Sequence, residues 1–144
     1  MSQDDIENEA KCHLMLSKCS YTPQLIGYNT DKMFLVLEYI HGYDITNARN
    51  HFNKQFIASK GVNICKDICQ AVCEIHRCGF LHNDIHVGNV MLCENGSEIN
   101  VMIIDFGKSY QIKDASTLNI SVKDRRRVLR QCPWTHPDMI NKNA

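Results

Sequence analysis

Residues 79–107, GFLHNDIHVGNVMLCENGSEINVMIIDFG, decide how the rest of the chain is read. Asn-Gly between two apolar runs is the strongest short hairpin signal a sequence carries. Val90-Met91-Leu92 and Val101-Met102-Ile103-Ile104 are therefore expected to pair as antiparallel strands about the turn Glu94-Asn95-Gly96-Ser97. Such pairing brings the residues just before the first strand near those just after the second, so Asp84, Asn89 and Asp105 should converge at one end of the hairpin. That convergence suits a hard cation: magnesium takes oxygen ligands and is usually held by one or two carboxylates together with substrate phosphates, which fits Asp105 and Asn89. Asp84 is then left to accept a proton from an attacking hydroxyl. Each residue alone is an ordinary turn cap; the three in this register make a site.

The chain has 144 residues, 44% of them hydrophobic and 22% charged, which is the composition of one globular domain and not of a disordered segment. Sixteen basic residues balance sixteen acidic ones, so no net field points to nucleic acid or to a membrane surface. Eight cysteines would suit a disulfide scaffold, but the N-terminus, MSQDDIENEA, is acidic and lacks the apolar run of a secretory signal. A reducing, cytoplasmic setting is expected. Cys65, Cys69 and Cys73 recur every four residues and stack along a helix. With no Cys-x-x-Cys pair and with aliphatic neighbours, they read as small apolar residues of a mostly buried helix, not as metal ligands. No stretch is long and apolar enough to span a membrane.

Residues 2–18 read as a helix: Ser2 with Asp5 makes a capping-box-like start, acids fill the first turn and Lys18 sits near the end. Residues 33–40 read as an apolar strand. The longest helix is expected over residues 56–78, with Ile64, Cys65, Ile68, Cys69, Val72, Ile75 and His76 as an apolar-dominated stripe and Gly79 as the stop signal. His76 is expected to be buried and hydrogen-bonded. Residues 108–137 show no clear strand pattern and carry Ser109, Tyr110, Ser116, Thr117, Ser121 and Thr135. The run Lys123-Asp124-Arg125-Arg126-Arg127 reads as a solvated helix face.

His82-x-Asp84, followed five residues after the aspartate by Asn89 and then by Asp105-Phe106-Gly107 behind an apolar strand, resembles the catalytic loop and metal-binding motif of the protein kinases. The resemblance runs from about Asp5 to Asp138. It implies an α+β, protein-kinase-like two-lobe fold that is truncated, without the first small-lobe strands and the last large-lobe helices. Residues 1–40 would be a remnant of the small lobe and hinge, and 41–144 part of the large lobe. ATP and Mg2+ are the implied ligands, and a protein hydroxyl the implied acceptor, on serine or threonine rather than tyrosine. Glu9, in preference to Glu7, falls where the family places the glutamate that pairs with the phosphate-binding lysine. Residues 38–44 resemble the hinge: Leu37 would control the back of the adenine pocket, Glu38 and Ile40 would give backbone contacts, and Asp44 would accept from a ribose hydroxyl. Met91 and Asp105 complete the nucleotide-contacting set. His82 and Phe106 would pack together beneath the loop. Residues 108–137 look like an activation segment closed by His136-Pro137-Asp138, similar to the family's Ala-Pro-Glu.

The sequence departs from the family pattern at four places. No glycine-rich loop or strand lysine precedes Glu9, and the chain stops soon after Asp138. His86 stands two residues after Asp84, where serine/threonine kinases usually carry lysine; protonated, it would meet phosphate, which makes it a third catalytic candidate beside Asp84 and Asn89. Asn83 stands where many kinases use arginine to read a phosphorylated loop. The expected function is therefore an ATP-dependent protein kinase, weak or inactive as this chain. Two alternatives stay open. Asp84-x-His86-x-Gly88-Asn89 also resembles the loop of the aminoglycoside and choline kinases, which would make the acceptor a small alcohol. A non-catalytic lobe that binds a partner kinase is the other.

Overall fold

Ser2 starts the first helix as expected: its hydroxyl accepts from the Asp5 N–H at 3.2 Å while the Asp5 carboxylate accepts from the Ser2 N–H at 2.6 Å. The structure, a computed structural model, describes residues 1–112. The expected segment beyond residue 112, with Ser116, Thr117, Ser121, Thr135, the basic run at 123–127 and His136-Pro137-Asp138, lies outside the described residues.

In chain order the elements are α1 (Gln3–Met15), β1 (Leu25–Asn29), β2 (Phe34–Leu37), β3 (Tyr43–Asp44), α2 (Ile45–His51), α3 (Lys54–Arg77), β4 (Phe80–Leu81), β5 (Val90–Asn95), β6 (Glu98–Ile103) and β7 (Tyr110–Gln111). All strand pairings are antiparallel: β1 with β2, β5 between β3 and β6, and β4 with β7. This mixed helix and strand content is the α+β class read from the sequence. One apolar core joins the three helices to β4, β5 and β6, from Cys12 and Leu16 on α1, through Phe52, Ile64 and Ile75, to Val90, Leu92, Val101, Ile103 and Phe106. Within it, burial pushes the Cys12 thiol up to about 11. All seven cysteines among the described residues are free thiols.

The central hairpin forms, with Val90 opposite Ile103 and Asn95 opposite Glu98. Its turn is shifted by one residue from the expected Asn-Gly centre, because Gly96 and Ser97 occupy the two central positions. Gly96 has φ 64° while Ser97 is not left-handed, as in a type II′ turn, which wants glycine at the first central position.

Four expectations are corrected. α1 ends at Met15, so Lys18 lies in the turn beyond it. The strand expected over 33–40 is only Phe34–Leu37, since Met33 adopts φ 57° and belongs to the preceding turn. Cys65, Cys69 and Cys73 are exposed, because α3 lays Ile64, Ala71 and Ile75 against the sheet and leaves the cysteines on another face. His76 is also exposed, one residue beyond the buried Ile75.

Candidate active site

The β5–β6 register places Asn89 and Asp105 at the same end of the hairpin: the Ile104 N–H donates to the Asn89 carbonyl at 3.0 Å, next to Asp105. Asn89 in turn reaches Asp84. Its Nδ2 donates to the Asp84 backbone oxygen at 3.0 Å and to the Asp84 carboxylate Oδ2 at 3.3 Å. Both residues are buried, Asp84 to 4% exposure and Asn89 to 6%. With Nδ2 fixed on Asp84, the Asn89 Oδ1 is turned away from it. Asp84 Oδ1 has no hydrogen-bond partner among the described residues, so it keeps its full accepting capacity.

Asp105 is exposed and left-handed, at φ 64°. Its Oδ1 accepts the Gly107 N–H at 3.2 Å, the short-range bond that lets aspartate hold this conformation. Phe106 then turns inward, edge-on to His82 at 4.7 Å and to His13 at 5.2 Å. The packing of His82 with Phe106 is the one expected from the sequence. His82 has its polarity set by its neighbours: Nε2 donates to the Ile104 carbonyl at 2.9 Å and Nδ1 accepts the Asp84 N–H at 3.2 Å. Burial holds its pKa below the usual histidine value, despite the nearby Asp105 and Asp84. His13 shifts the same way, through burial against a single bond to the Pro23 carbonyl at 3.1 Å.

Glu9 is half-buried while Glu7 is exposed. Burial raises the Glu9 pKa, the Asp105 charge raises it further, and the Phe106 backbone N–H works against both. Glu9 is thus the α1 glutamate beside the Asp105 loop. His86 is half-exposed; its Nδ1 accepts the Gly88 N–H at 3.1 Å and its Nε2 stands 3.9 Å from Asp84 Oδ2.

Asp84, Asn89, Asp105, His86 and Glu9 are therefore brought together. The remaining candidates lie on β2, on the β2–β3 connection and across the β3–β5 ladder. Leu37 ends β2, half-buried, and the Glu38 N–H donates to the Gln24 carbonyl at 2.8 Å, so that N–H is already used within the fold. Ile40 is half-buried in the connection that follows. Asp44 pairs with Met91 across the β3–β5 ladder, and both line an open depression of about 480 Å³ with Tyr43, Asn47 and His51. Both Asp44 oxygens already cap α2, accepting the Asn47 N–H at 2.8 Å and the Asn47 Nδ2 at 3.0 Å.

Sequence reasoning missed Lys108 and His13. Lys108 Nζ stands 3.2 Å from Asp84 Oδ2, and its one sequence signal is that it directly follows Gly107. His13 sits one helical turn after Glu9 on the buried side of α1, which the α1 spacing could have revealed.

An antiparallel hairpin with a buried Asp-Asn pair at its base, and an Asp-Phe-Gly turn whose phenylalanine packs edge-on against His13 and His82, is the arrangement expected of a protein-kinase-like fold. Comparison with known proteins agrees: the family model for the protein kinase domain matches residues 1–143, and the chain belongs to that family. It is 26% identical over 116 residues to the probable serine/threonine-protein kinase mkcD of Dictyostelium discoideum, covering 80% of this chain and 16% of that protein. It is 30% identical over 110 residues to the serine/threonine-protein kinase PLK4 of Drosophila yakuba, covering 75% of this chain and 14% of that protein. Among solved structures it resembles the Cydia pomonella granulovirus kinase PK-1 with a TM-score of 0.55 and 18% identity, over 73% of this chain and 39% of the other. The chain thus spans about one-sixth or less of the length of the two serine/threonine-protein kinases it matches. No helix among the described residues is long and apolar enough to cross a membrane.

Proposed function

We propose that the chain is the catalytic part of an ATP-dependent protein kinase that transfers the γ-phosphoryl group to a protein hydroxyl, on serine or threonine rather than tyrosine, in the cytoplasm. The observation that carries this reading is the Asn89 amide on Asp84, which holds a buried carboxylate with one unpartnered oxygen at the base of the hairpin that ends in Asp105. The serine/threonine preference rests on the names of the relatives.

The donor set fits magnesium: an exposed carboxylate on Asp105 and an amide oxygen on Asn89 are hard oxygen ligands. Those two residues would hold it, and the cation would neutralise charge on the phosphates of ATP. Asp84 orients the acceptor. The hydroxyl oxygen forms a bond to the γ-phosphorus, the bond from that phosphorus to the oxygen bridging to the β-phosphate breaks, and ADP leaves with that electron pair. The hydroxyl proton passes to the Asp84 carboxylate. Glu9 borders the phosphate side, and His86 adds a charge there when protonated. The nucleotide lies along Leu37, Glu38, Ile40, Asp44 and Met91, at the junction of residues 1–40 with 41–144.

The test is transfer from radiolabelled ATP by the whole protein, offered general protein substrates and, separately, small alcohols. Labelled protein that disappears on Asp105→Ala, together with magnesium-dependent ATP binding in calorimetry, supports the reading. Labelled small alcohols alone would give the reaction to the soluble phosphotransferases. ATP-independent capture of a partner kinase with no turnover would make the chain a regulatory lobe.

A further inference from the structure

Lys108 directly follows Asp105-Phe106-Gly107, and its ammonium makes the only contact between a lysine or arginine and a carboxylate among the described residues, 3.2 Å from Asp84 Oδ2. The residue is held at both ends. Its backbone carbonyl accepts from Asn83 Nδ2 at 3.3 Å, and the Ser109 N–H donates to the Phe106 carbonyl at 3.0 Å, closing a turn around Gly107 and Lys108. Asn83 makes its bond from a left-handed backbone, φ 65°, a conformation that asparagine tolerates better than most residues. The Lys108 side chain is 42% exposed and that of Asp84 6%, so the ammonium stands on the solvent side of a buried carboxylate.

The charge arrangement gives this placement a use. A phosphoryl group moving toward an acceptor held by Asp84 brings negative charge toward a carboxylate, and an ammonium between the two offsets the repulsion. An ammonium has three donors, of which one suffices for Asp84. His86 is less well placed for this: its Nε2 is 3.9 Å from the same oxygen. Its Nδ1 is already occupied by the Gly88 N–H.

Resting on the kinase reading above, we propose that Lys108 is a catalytic residue that bridges the Asp84 carboxylate and the transferring phosphoryl group. It gives up no proton and forms no covalent bond; its contribution is a fixed positive charge between the acceptor base and the oxygens of the phosphoryl group.

The test compares the whole wild-type protein with Lys108→Met, Lys108→Gln and Lys108→Arg. Transfer from ATP to a general protein substrate is measured, with calorimetry of magnesium-ADP in the presence and absence of aluminium fluoride, which mimics the phosphoryl group in flight. The expected result is a fall in kcat of about 100-fold for Lys108→Met and Lys108→Gln, as for loss of one transition-state donor. Their magnesium-ADP affinity should stay within about threefold of wild type while the gain in affinity from aluminium fluoride disappears. Lys108→Arg should restore a large part of both. Wild-type transfer that both neutral variants leave within about threefold would overturn the role of Lys108 and leave the kinase reading standing. A wild-type protein without transfer would overturn the kinase reading and this inference together.

Discussion

The Asn89 side-chain amide bonds Asp84 twice, at the backbone oxygen and at the carboxylate, and so joins the two ends of the loop between β4 and β5. Hydrogen bonds to a charged, buried group contribute about 1.5–3 kcal/mol each. Asn89→Ala should therefore lower stability by about 2 kcal/mol in urea denaturation, because it strips a donor from a buried carboxylate. It should also lower transfer activity, since both Asp84 and the proposed magnesium site lose the same side chain.

Phe106 stands 1% exposed between His13 and His82. Removing its ring leaves a cavity under the Asp105 turn. Phe106→Ala should cost about 3–5 kcal/mol, and Phe106→Leu less, in chemical denaturation.

The same two histidines give the fold a pH dependence. Both have folded-state pKa values below the ordinary 6.5, chiefly through burial, so the unfolded chain binds their protons more readily than the folded one. Stability should be full above pH 6.5 and fall as pH drops from there through the lowered folded-state values. His13→Leu should flatten the fall, since the replacement keeps a buried apolar contact to Phe106 and removes a proton acceptor. Denaturation curves from pH 7.5 downward at matched ionic strength check it.

Gly42 sits where a side chain cannot. A Cβ there would lie 2.5 Å from the Leu92 carbonyl oxygen and 2.8 Å from Cys93 Sγ, at the crossing of the β2–β3 connection over β5. The first contact is with backbone and does not give way. Gly42→Ala should lower stability by about 1–3 kcal/mol, and a thermal melt of the variant beside wild type is the measurement.

The features legible in the sequence were those fixed by local chemistry. Ser2 and Asp5 write a capping box, Asn95-Gly96 writes a hairpin, and the period-2 register of that hairpin brings Asn89 to the end where Asp105 emerges. What failed required knowing which face is covered. At about 100° per residue, Ile64, Ala71 and Ile75 fall within about 20° of one line on α3, whereas Cys65, Cys69 and Cys73 drift from about 100° to 180° away from it. The apolar stripe read from the sequence had merged two faces. Lys108 was invisible for a different reason: its role depends on the left-handed turns at Asp105 and Asn83, which aim a neighbouring side chain that pattern alone cannot aim.

The central claim is that Asp84 accepts the proton of the attacking hydroxyl while Asp105 and Asn89 serve the nucleotide. Asp84→Asn keeps the size of the side chain and removes the base. General-base catalysis contributes about 100- to 10,000-fold, so phosphoryl transfer by this variant of the whole protein should fall within that range. ATP binding in magnesium, measured by calorimetry on the same preparation, should stay close to wild type. Transfer that persists at the wild-type rate in Asp84→Asn would contradict the account.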